Sequence, residues 1–293
     1  MPAEIIDGAA VARKIRAEVA ERCKALAARG VTPGLSVVLV GDDGGSAVYV
    51  RYKEKASLEV GMRGETIRMP ATTTQAELLA VVDRLNADPA VHGILVQMPL
   101  PKQIDPQTVI RRISAEKDVD GFHPVNVGKV LIGDRDGFAP CTPAGVQVLL
   151  QEYGVDTNGK HVVVIGRSNI VGKPMMSLLV QQGPGGDATV TVCHSRTPDL
   201  EWHTKRADIV IAAVGRPGTV TGDMIRPGAV VIDVGTTRIN DPTTKSGQRL
   251  LGDVDFESVK QVASKLTPVP GGVGPMTIAM LLRNTVRAAE QTT

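Results

Sequence analysis

Lys53 interrupts an otherwise apolar helical stripe. Tyr49, Lys53, Ala56 and Val60 recur at i, i+4, i+7 and i+11 and so share one face of a helix, while Arg51, Lys55 and Glu59 fall on another, solvated one. Two readings of the amine stay open: it snorkels to water along its own methylenes, or it is desolvated, with a lowered pKa that lets it carry protons near neutral pH. Gln97 is the second candidate. It closes the β-rich run Val91-His-Gly-Ile-Leu-Val-Gln97 just before Met98-Pro99-Leu100-Pro101, whose prolines stop strand pairing. That puts it at the carboxyl end of a strand, the edge where open α/β sheets bind ligands; satisfying a backbone group there is the plainer reading. Asp118 and Asp120, in the loop Lys117 to Pro124, could flank a metal, but no further cluster of Asp, Glu or His at ligand spacing accompanies them. They read as hydrogen-bonding groups, and no metal is expected.

A different chemistry lies between His161 and Pro174. The strand His161-Val-Val-Val-Ile-Gly166, the polar turn Arg167-Ser168-Asn169-Ile170-Val171, and Gly172 ahead of an apolar helix over Met175 to Val180 form the arrangement that aims free N–H groups at a phosphate. The spacing departs from G-x-G-x-x-G, and an ordinary βα turn is the alternative. The next strand, Ala188 to Cys193, ends in His194-Ser195-Arg196, without the carboxylate that would hold the ribose hydroxyls of NAD. A hydroxyl and a guanidinium there, with Arg167 in the first turn, suit the extra phosphate of NADP; solvated basic residues at strand ends are the bland reading. Two further buried strands, Ala207 to Val214 and Ala229 to Val234, run into Gly215 and Gly235, where the backbone can approach a ligand closely. Asp233, inside the second run, reads as a structural hydrogen-bonder rather than a base.

The elements that must position these residues alternate. Asp7 is an N-cap for a helix carrying Val11, Ile15, Val19 and Leu26 and stopped by Gly30. Leu35 to Val40 is a strand, followed by the glycine-rich turn Gly41 to Gly45 and by Ser46, a cap for the helix of Lys53. Glu65 to Arg68 is a strand, and Thr74-Gln-Ala-Glu77 a capping box. Thr142 and Pro143 start a helix running to Tyr153 and closed by Gly154. After the rigid stretch Thr267 to Thr277 comes a last helix with Ile278, Leu281, Leu282 and Val286 on its apolar face. Alternating β and α implies an α/β fold of two mainly parallel, doubly wound parts.

The 293 residues suffice for two domains. A net charge of +2 and only 2% aromatic residues give no footing for nucleic acid. Cys23, Cys141 and Cys193 are odd in number and far apart, which suggests neither a disulfide framework nor a zinc site, and a reducing cytoplasm is the expected compartment. No leader pattern or membrane-length apolar run is read, so no membrane partner is expected.

Six motifs in order carry a resemblance over essentially the whole chain: Ser46-x-x-Tyr49-x-x-x-Lys53, Val96-Gln97-Met98-Pro99-Leu100-Pro101, Lys117-Asp-Val-Asp-Gly121, Pro140-Cys-Thr-Pro143, Gly166-Arg-Ser-x-x-Val-Gly172 and Pro270-Gly-Gly-Val-Gly-Pro-Met-Thr277. Together they are similar to the bifunctional methylenetetrahydrofolate dehydrogenase/methenyltetrahydrofolate cyclohydrolase family. The resemblance implies a catalytic, folate-binding domain over 1–139, completed by a returning helix over 276–293, and a Rossmann-like NADP-binding domain over 140–275. It implies NADP-dependent oxidation of 5,10-methylenetetrahydrofolate to the methenyl compound and hydrolysis of that to 10-formyltetrahydrofolate, in a cytoplasmic homodimer serving one-carbon metabolism. By resemblance Lys53 carries the proton, Gln97 orients it, Tyr49 lies against the folate rings and Asp120 accepts from the pterin. Gly272 and Thr277 lie near the nicotinamide and the substrate, while Gly166, Arg167, Ser168, Gly172, Ser195, Arg196, Gly215 and Thr236 line the cofactor. The chain has Thr236-Thr237-Arg238 where the family tends to carry an Asn, and Gly45 where Ala is usual. The rivals are another two-lobed NADP-dependent dehydrogenase, of the shikimate or amino-acid type, and a non-catalytic NADP-binding sensor.

Overall fold

The computed structural model describes residues 2–41, 44–244 and 247–292. The elements run β1 (Glu4–Ile5), α1 (Gly8–Ala27), β2 (Gly34–Val40), α2 (Gly44–Glu59), β3 (Arg63–Met69), α3 (Gln75–Ala87), β4 (Gly93–Val96), α4 (Pro106–Arg112) and α5 (Pro124–Ile132). They continue α6 (Cys141–Glu152), β5 (His161–Ile165), α7 (Gly172–Leu179), β6 (Thr189–Cys193), α8 (Leu200–Thr204), β7 (Ile209–Ala212), β8 (Val230–Asp233), β9 (Thr237–Asn240), β10 (Gln248–Leu251), α9 (Phe256–Lys260), β11 (Lys265–Leu266) and α10 (Val273–Gln291).

The chain divides into two compact units. One holds residues 13–130, 134–141 and 278–293; the other holds 1–12, 131–133 and 142–277. The first is built on the parallel sheet β3-β2-β4. The second is built on a six-stranded sheet ordered β1-β11-β8-β7-β5-β6, in which every neighbouring pair is parallel. Strands β2, β4, β5, β7 and β8 are written as near-continuous runs of Val, Ile and Leu, because strands covered on both faces have no polar side to show. All seven residues of β2 are buried, and β4, β7 and β8 likewise. The opening residues go with the second unit because Glu4 and Ile5 pair with Lys265 and Leu266 at one edge of its sheet. That pairing of ends far apart in sequence has no local signal.

Caps place several boundaries as read. Asp7 Oδ1 accepts from the Ala10 amide at 2.9 Å, and Thr74 and Glu77 make both arms of the capping box that starts α3. Thr74→Ala is expected to lower the melting temperature by about 2–4 °C, measured by thermal unfolding, because the Glu77 amide loses the hydroxyl that caps it and the Glu77 carboxylate loses that hydroxyl as a donor. Two caps are elsewhere than expected. Helix α2 begins at Gly44, two residues before Ser46, whose hydroxyl instead donates to the Met98 carbonyl at 3.4 Å. Within the turn Gly41 to Gly45, Asp42 and Asp43 lie outside the described residues. Helix α6 begins at Cys141, so Thr142 is a helical residue and its hydroxyl lies 2.9 Å from that of Thr277. Helix α7 begins at Gly172, making that glycine its first residue rather than a spacer before it. The antiparallel hairpin β9-β10 was not foreseen, since Thr237 to Leu251 alternates too little to advertise strands.

Candidate active site

Lys53 does not snorkel. Its side chain is buried, with 5% of the residue exposed, while Arg51, Lys55 and Glu59 on the opposite face of α2 are exposed. The Nζ donates to Gln97 Oε1 at 2.9 Å and lies 5.2 Å from the centre of the Tyr49 ring. Gln97, one residue past β4, is itself fixed: its Nε2 donates to the Met98 carbonyl at 2.9 Å and its main-chain N–H to Val38 at 2.8 Å. With the amide nitrogen engaged, the carbonyl end faces the lysine. Burial pushes the Lys53 amine below its ordinary 10.5, and attraction to the Asp120 carboxylate only partly offsets that. Desolvation favours the neutral amine, the form that can accept a proton.

Asp120 is brought to this amine by the turn Lys117 to Gly121. Ile94 in β4 donates its N–H to Lys117 at 2.8 Å, and Gly121 takes φ +79. A Cβ on Gly121 would stand 2.6 Å from Pro140 N, which explains why only glycine serves there. Asp118 accepts from the His123 amide at 2.7 Å and from Asn126 Nδ2 at 2.9 Å, and burial pushes its carboxyl up to about 6. Asp120 is only part-buried by its surface; desolvation raises its carboxyl, with Lys53 pulling the other way. Lys117 is structural: its Nζ donates to the carbonyls of Leu85, Asn86 and Asp88 at 3.0, 2.8 and 2.7 Å around the end of α3.

Two supports of this cluster had been given no role. Cys141 donates to the Val119 carbonyl at 3.3 Å, and its thiol is raised well above the ordinary value by burial first and then by Asp120. Asn284 of α10 donates to Val119 O at 2.9 Å and Ala139 O at 3.2 Å, binding the Asp120 turn to the segment leading into Cys141. Its signal was there to read: an amide among Leu281, Leu282 and Val286 needs buried partners.

The second unit carries the other candidates. Gly166, at φ +131 after β5, donates its N–H to Cys193 at 2.8 Å, and a Cβ on it would stand 2.3 Å from the Ala213 carbonyl. Arg167 and Ser168 are exposed on the turn, where Ser168 Oγ accepts from Val171 N at 3.1 Å and Gly172 N at 3.4 Å. Ser195 and Arg196 are exposed past β6, and the Arg196 amide donates to His194 Nδ1 at 3.2 Å. Gly215, at φ +72, and Thr236 are exposed past β7 and β8. Gly272 is buried, and Thr277 is part-buried. The strand ends past β5, β6, β7 and β8 thus present glycine, hydroxyl and guanidinium groups on the carboxyl edge of one parallel sheet, the place such folds take a dinucleotide. Among the described residues no group of three His, Cys, Asp or Glu is placed to hold a metal ion.

Comparison with known proteins decides what this arrangement belongs to. Residues 6–120 match the catalytic domain of the tetrahydrofolate dehydrogenase/cyclohydrolase family, and residues 140–293 match its NAD(P)-binding domain. The chain belongs to the tetrahydrofolate dehydrogenase/cyclohydrolase family. It is 57% identical over 291 residues to the bifunctional protein FolD of Moorella thermoacetica, covering 99% of this chain and 100% of that one. The N5,N10-methylenetetrahydrofolate dehydrogenase-cyclohydrolase of Trypanosoma brucei, complexed with NADP cofactor and inhibitor, superposes with a TM-score of 0.95 at 45% identity, covering 100% and 99% of the two chains. The FolD enzyme of Campylobacter jejuni gives 0.93 at 47% identity, covering 99% of each. As a tetrahydrofolate dehydrogenase/cyclohydrolase, the protein is an enzyme of one-carbon folate chemistry, oxidoreductase and hydrolase in one chain, with an α/β fold and a dinucleotide domain. The readings as a shikimate-type dehydrogenase and as a sensor fall with that membership. No helix among the described residues is long and apolar enough to cross a membrane.

Proposed function

We propose that Lys53 is the proton carrier of the cyclohydrolase step and that its buried contact with Gln97 is what equips it. The enzyme oxidises 5,10-methylenetetrahydrofolate to the methenyl cation and hydrolyses that to 10-formyltetrahydrofolate. NADP, when bound, accepts the hydride. Asp120 accepts from the pterin amino and ring N–H groups, and Tyr49 packs against the folate rings, so that the one-carbon unit comes within reach of Nζ. In hydrolysis the neutral amine takes a proton from water as the water oxygen bonds to the methenyl carbon. The carbinol then loses its second proton as the ring nitrogen departs and is protonated, and one proton leaves to solvent overall. Gln97 keeps the amine's lone pair directed, and burial on the apolar stripe of α2 favours its uncharged form. The observation that carries this reading is the buried Lys53 Nζ held 2.9 Å from Gln97 Oε1.

The dinucleotide is NADP, held by Gly166, Arg167, Ser168 and Gly172 at the first turn, by Ser195 and Arg196 at the 2′-phosphate, and by Gly215 and Thr236 farther along the edge, with Gly272 and Thr277 toward the nicotinamide and the substrate. What fits the group is an exposed turn whose first residues past β6, His194, Ser195 and Arg196, include no carboxylate to repel a phosphate. The folate-binding domain spans residues 1–139 and 276–293 and the NADP-binding domain 140–275, apart from the opening strand β1, which pairs into the sheet of the latter, in a cytoplasmic homodimer. Mixing protein, NADP and methylenetetrahydrofolate should give reduced cofactor and methenyl product by absorbance; absence of both would refute the reading. Ser195→Asp is expected to raise the KM for NADP about tenfold, equivalent to about 1.4 kcal/mol, with little effect on NAD. An unchanged NADP-to-NAD preference would remove Ser195 from the phosphate site.

A further inference from the structure

Two buried carboxylates of the six-stranded unit take no part in the chemistry above. Asp233, the last residue of β8, accepts on Oδ1 from the amides of Gly235 and Asp253, both at 2.9 Å, and on Oδ2 from that of Val254 at 3.0 Å. Its own N–H donates to Thr267 Oγ1 at 2.7 Å. Asp253, wholly buried, accepts on Oδ2 from Val214 N at 2.6 Å and Gly215 N at 3.0 Å. Its Oδ1 is buried with no hydrogen-bond partner among the described residues. A Cβ on Gly252 would stand 1.8 Å from Asp233 Oδ2, and one on Gly235 would stand 2.4 Å from Asp253 Oδ1. The carboxylates can approach these turns only because both positions are glycine.

Two side chains thereby lace together the segments that leave β7, β8 and β10, and one of those segments is the exposed turn at Gly215. Burying two acids side by side is unfavourable in itself, and burial pushes the Asp233 carboxyl up to about 6 against the pull of three amides. Apolar side chains would fill the same space without that cost. What they could not do is fix two successive amides of an irregular turn.

We infer that Asp253 is a positioning residue for NADP: it sets the Val214-Gly215 turn in the conformation that receives the cofactor, and Asp233 holds Asp253 in place. This rests on the reading that Gly215 meets NADP. The test uses the full-length enzyme. Asp253→Ala is expected to weaken NADP binding about tenfold or more by titration calorimetry and to speed hydrogen exchange at the amides of 214 and 215 in the cofactor-free protein. Cyclohydrolase turnover on the methenyl substrate without NADP should be nearly unchanged. Asp253→Asn, which keeps an acceptor oxygen, should recover most of the affinity. Wild-type NADP affinity in Asp253→Ala, or parallel loss of both activities, would overturn the inference. If Asp253→Ala does not fold, Asp253→Ser, with a single acceptor, is judged by the same results. Gly172→Ala separates the two readings: NADP binding weakened by Gly172→Ala but not by Asp253→Ala removes only the role of Asp253, whereas binding weakened by neither removes the cofactor site itself.

Discussion

Lys53→Met is expected to lower cyclohydrolase turnover by about 10²–10⁴-fold, the usual contribution of a positioned acid–base group, while leaving NADP affinity nearly unchanged. Methionine keeps the length and apolar contacts of the lysine stem on the α2 stripe, so the loss isolates the amine. The pH dependence carries the same signature. The folded-state pKa of Lys53 is depressed below 10.5, so between the two values the unfolded chain holds a proton that the folded one does not. Stability therefore falls as pH drops from 10.5 through the depressed value, and below it the folded protein carries the full penalty of a charged buried amine. Lys53→Met removes that slope and should melt no lower than wild type at pH 7. In wild type the cyclohydrolase rate should rise with pH as the amine loses its proton and reach its plateau below pH 10.5. Lys53→Arg should have no such limb, because a guanidinium stays charged. Full hydrolysis by Lys53→Met would leave Gln97 orienting nothing and would end the assignment.

Why Lys53 could be picked out from sequence, and Asp253 could not, is a matter of range. A helix repeats every 3.6 residues, so a polar residue on an apolar stripe shows within one turn, and Tyr49, Lys53, Ala56 and Val60 announced their shared face without any tertiary knowledge. The parallel strands were legible for the same reason: β2, β5, β7 and β8 are buried on both faces and read as unbroken apolar runs. Burial itself was not legible. The stripe left open whether the amine reached water, and only the packing of α2 against its sheet closes that question. Helix starts drifted at Ser46 and Thr142 because their hydroxyls, which look like caps, are engaged with the distant Met98 and Thr277, and at Gly172 because the residue before α7 makes no side-chain cap bond to mark its start. Asp253 sits in a Gly-Asp-Val stretch that resembles any turn. Its partners at 214 and 215 are 39 and 38 residues away, and no periodicity spans that distance.

Gly172→Ala should do the reverse of Lys53→Met, weakening NADP binding about tenfold to a hundredfold while cyclohydrolase turnover, measured on the methenyl substrate without cofactor, persists. A Cβ on Gly172 would lie 2.1 Å from the Gly166 carbonyl oxygen, 2.5 Å from its carbonyl carbon and 2.8 Å from Arg167 N. All three neighbours are backbone, so no side chain can rotate away; the turn Arg167 to Val171 or the first turn of α7 has to move. Overpacking of that kind costs about 1–3 kcal/mol, and each 1.4 kcal/mol is a factor of ten in affinity. The displacement falls on the amides of Val171 and Gly172, now gathered on Ser168 Oγ, which are the donors a phosphate would meet at the start of a helix. Lys53, Gln97 and Asp120 belong to the other compact unit and keep their contacts. Gly128→Ala is the matched control, since nothing lies within 4 Å of a Cβ there. It should change neither activity. NADP binding by Gly172→Ala at wild-type strength would mean that the turn after β5 is an ordinary strand-to-helix connection and that the phosphates lie elsewhere on the sheet edge.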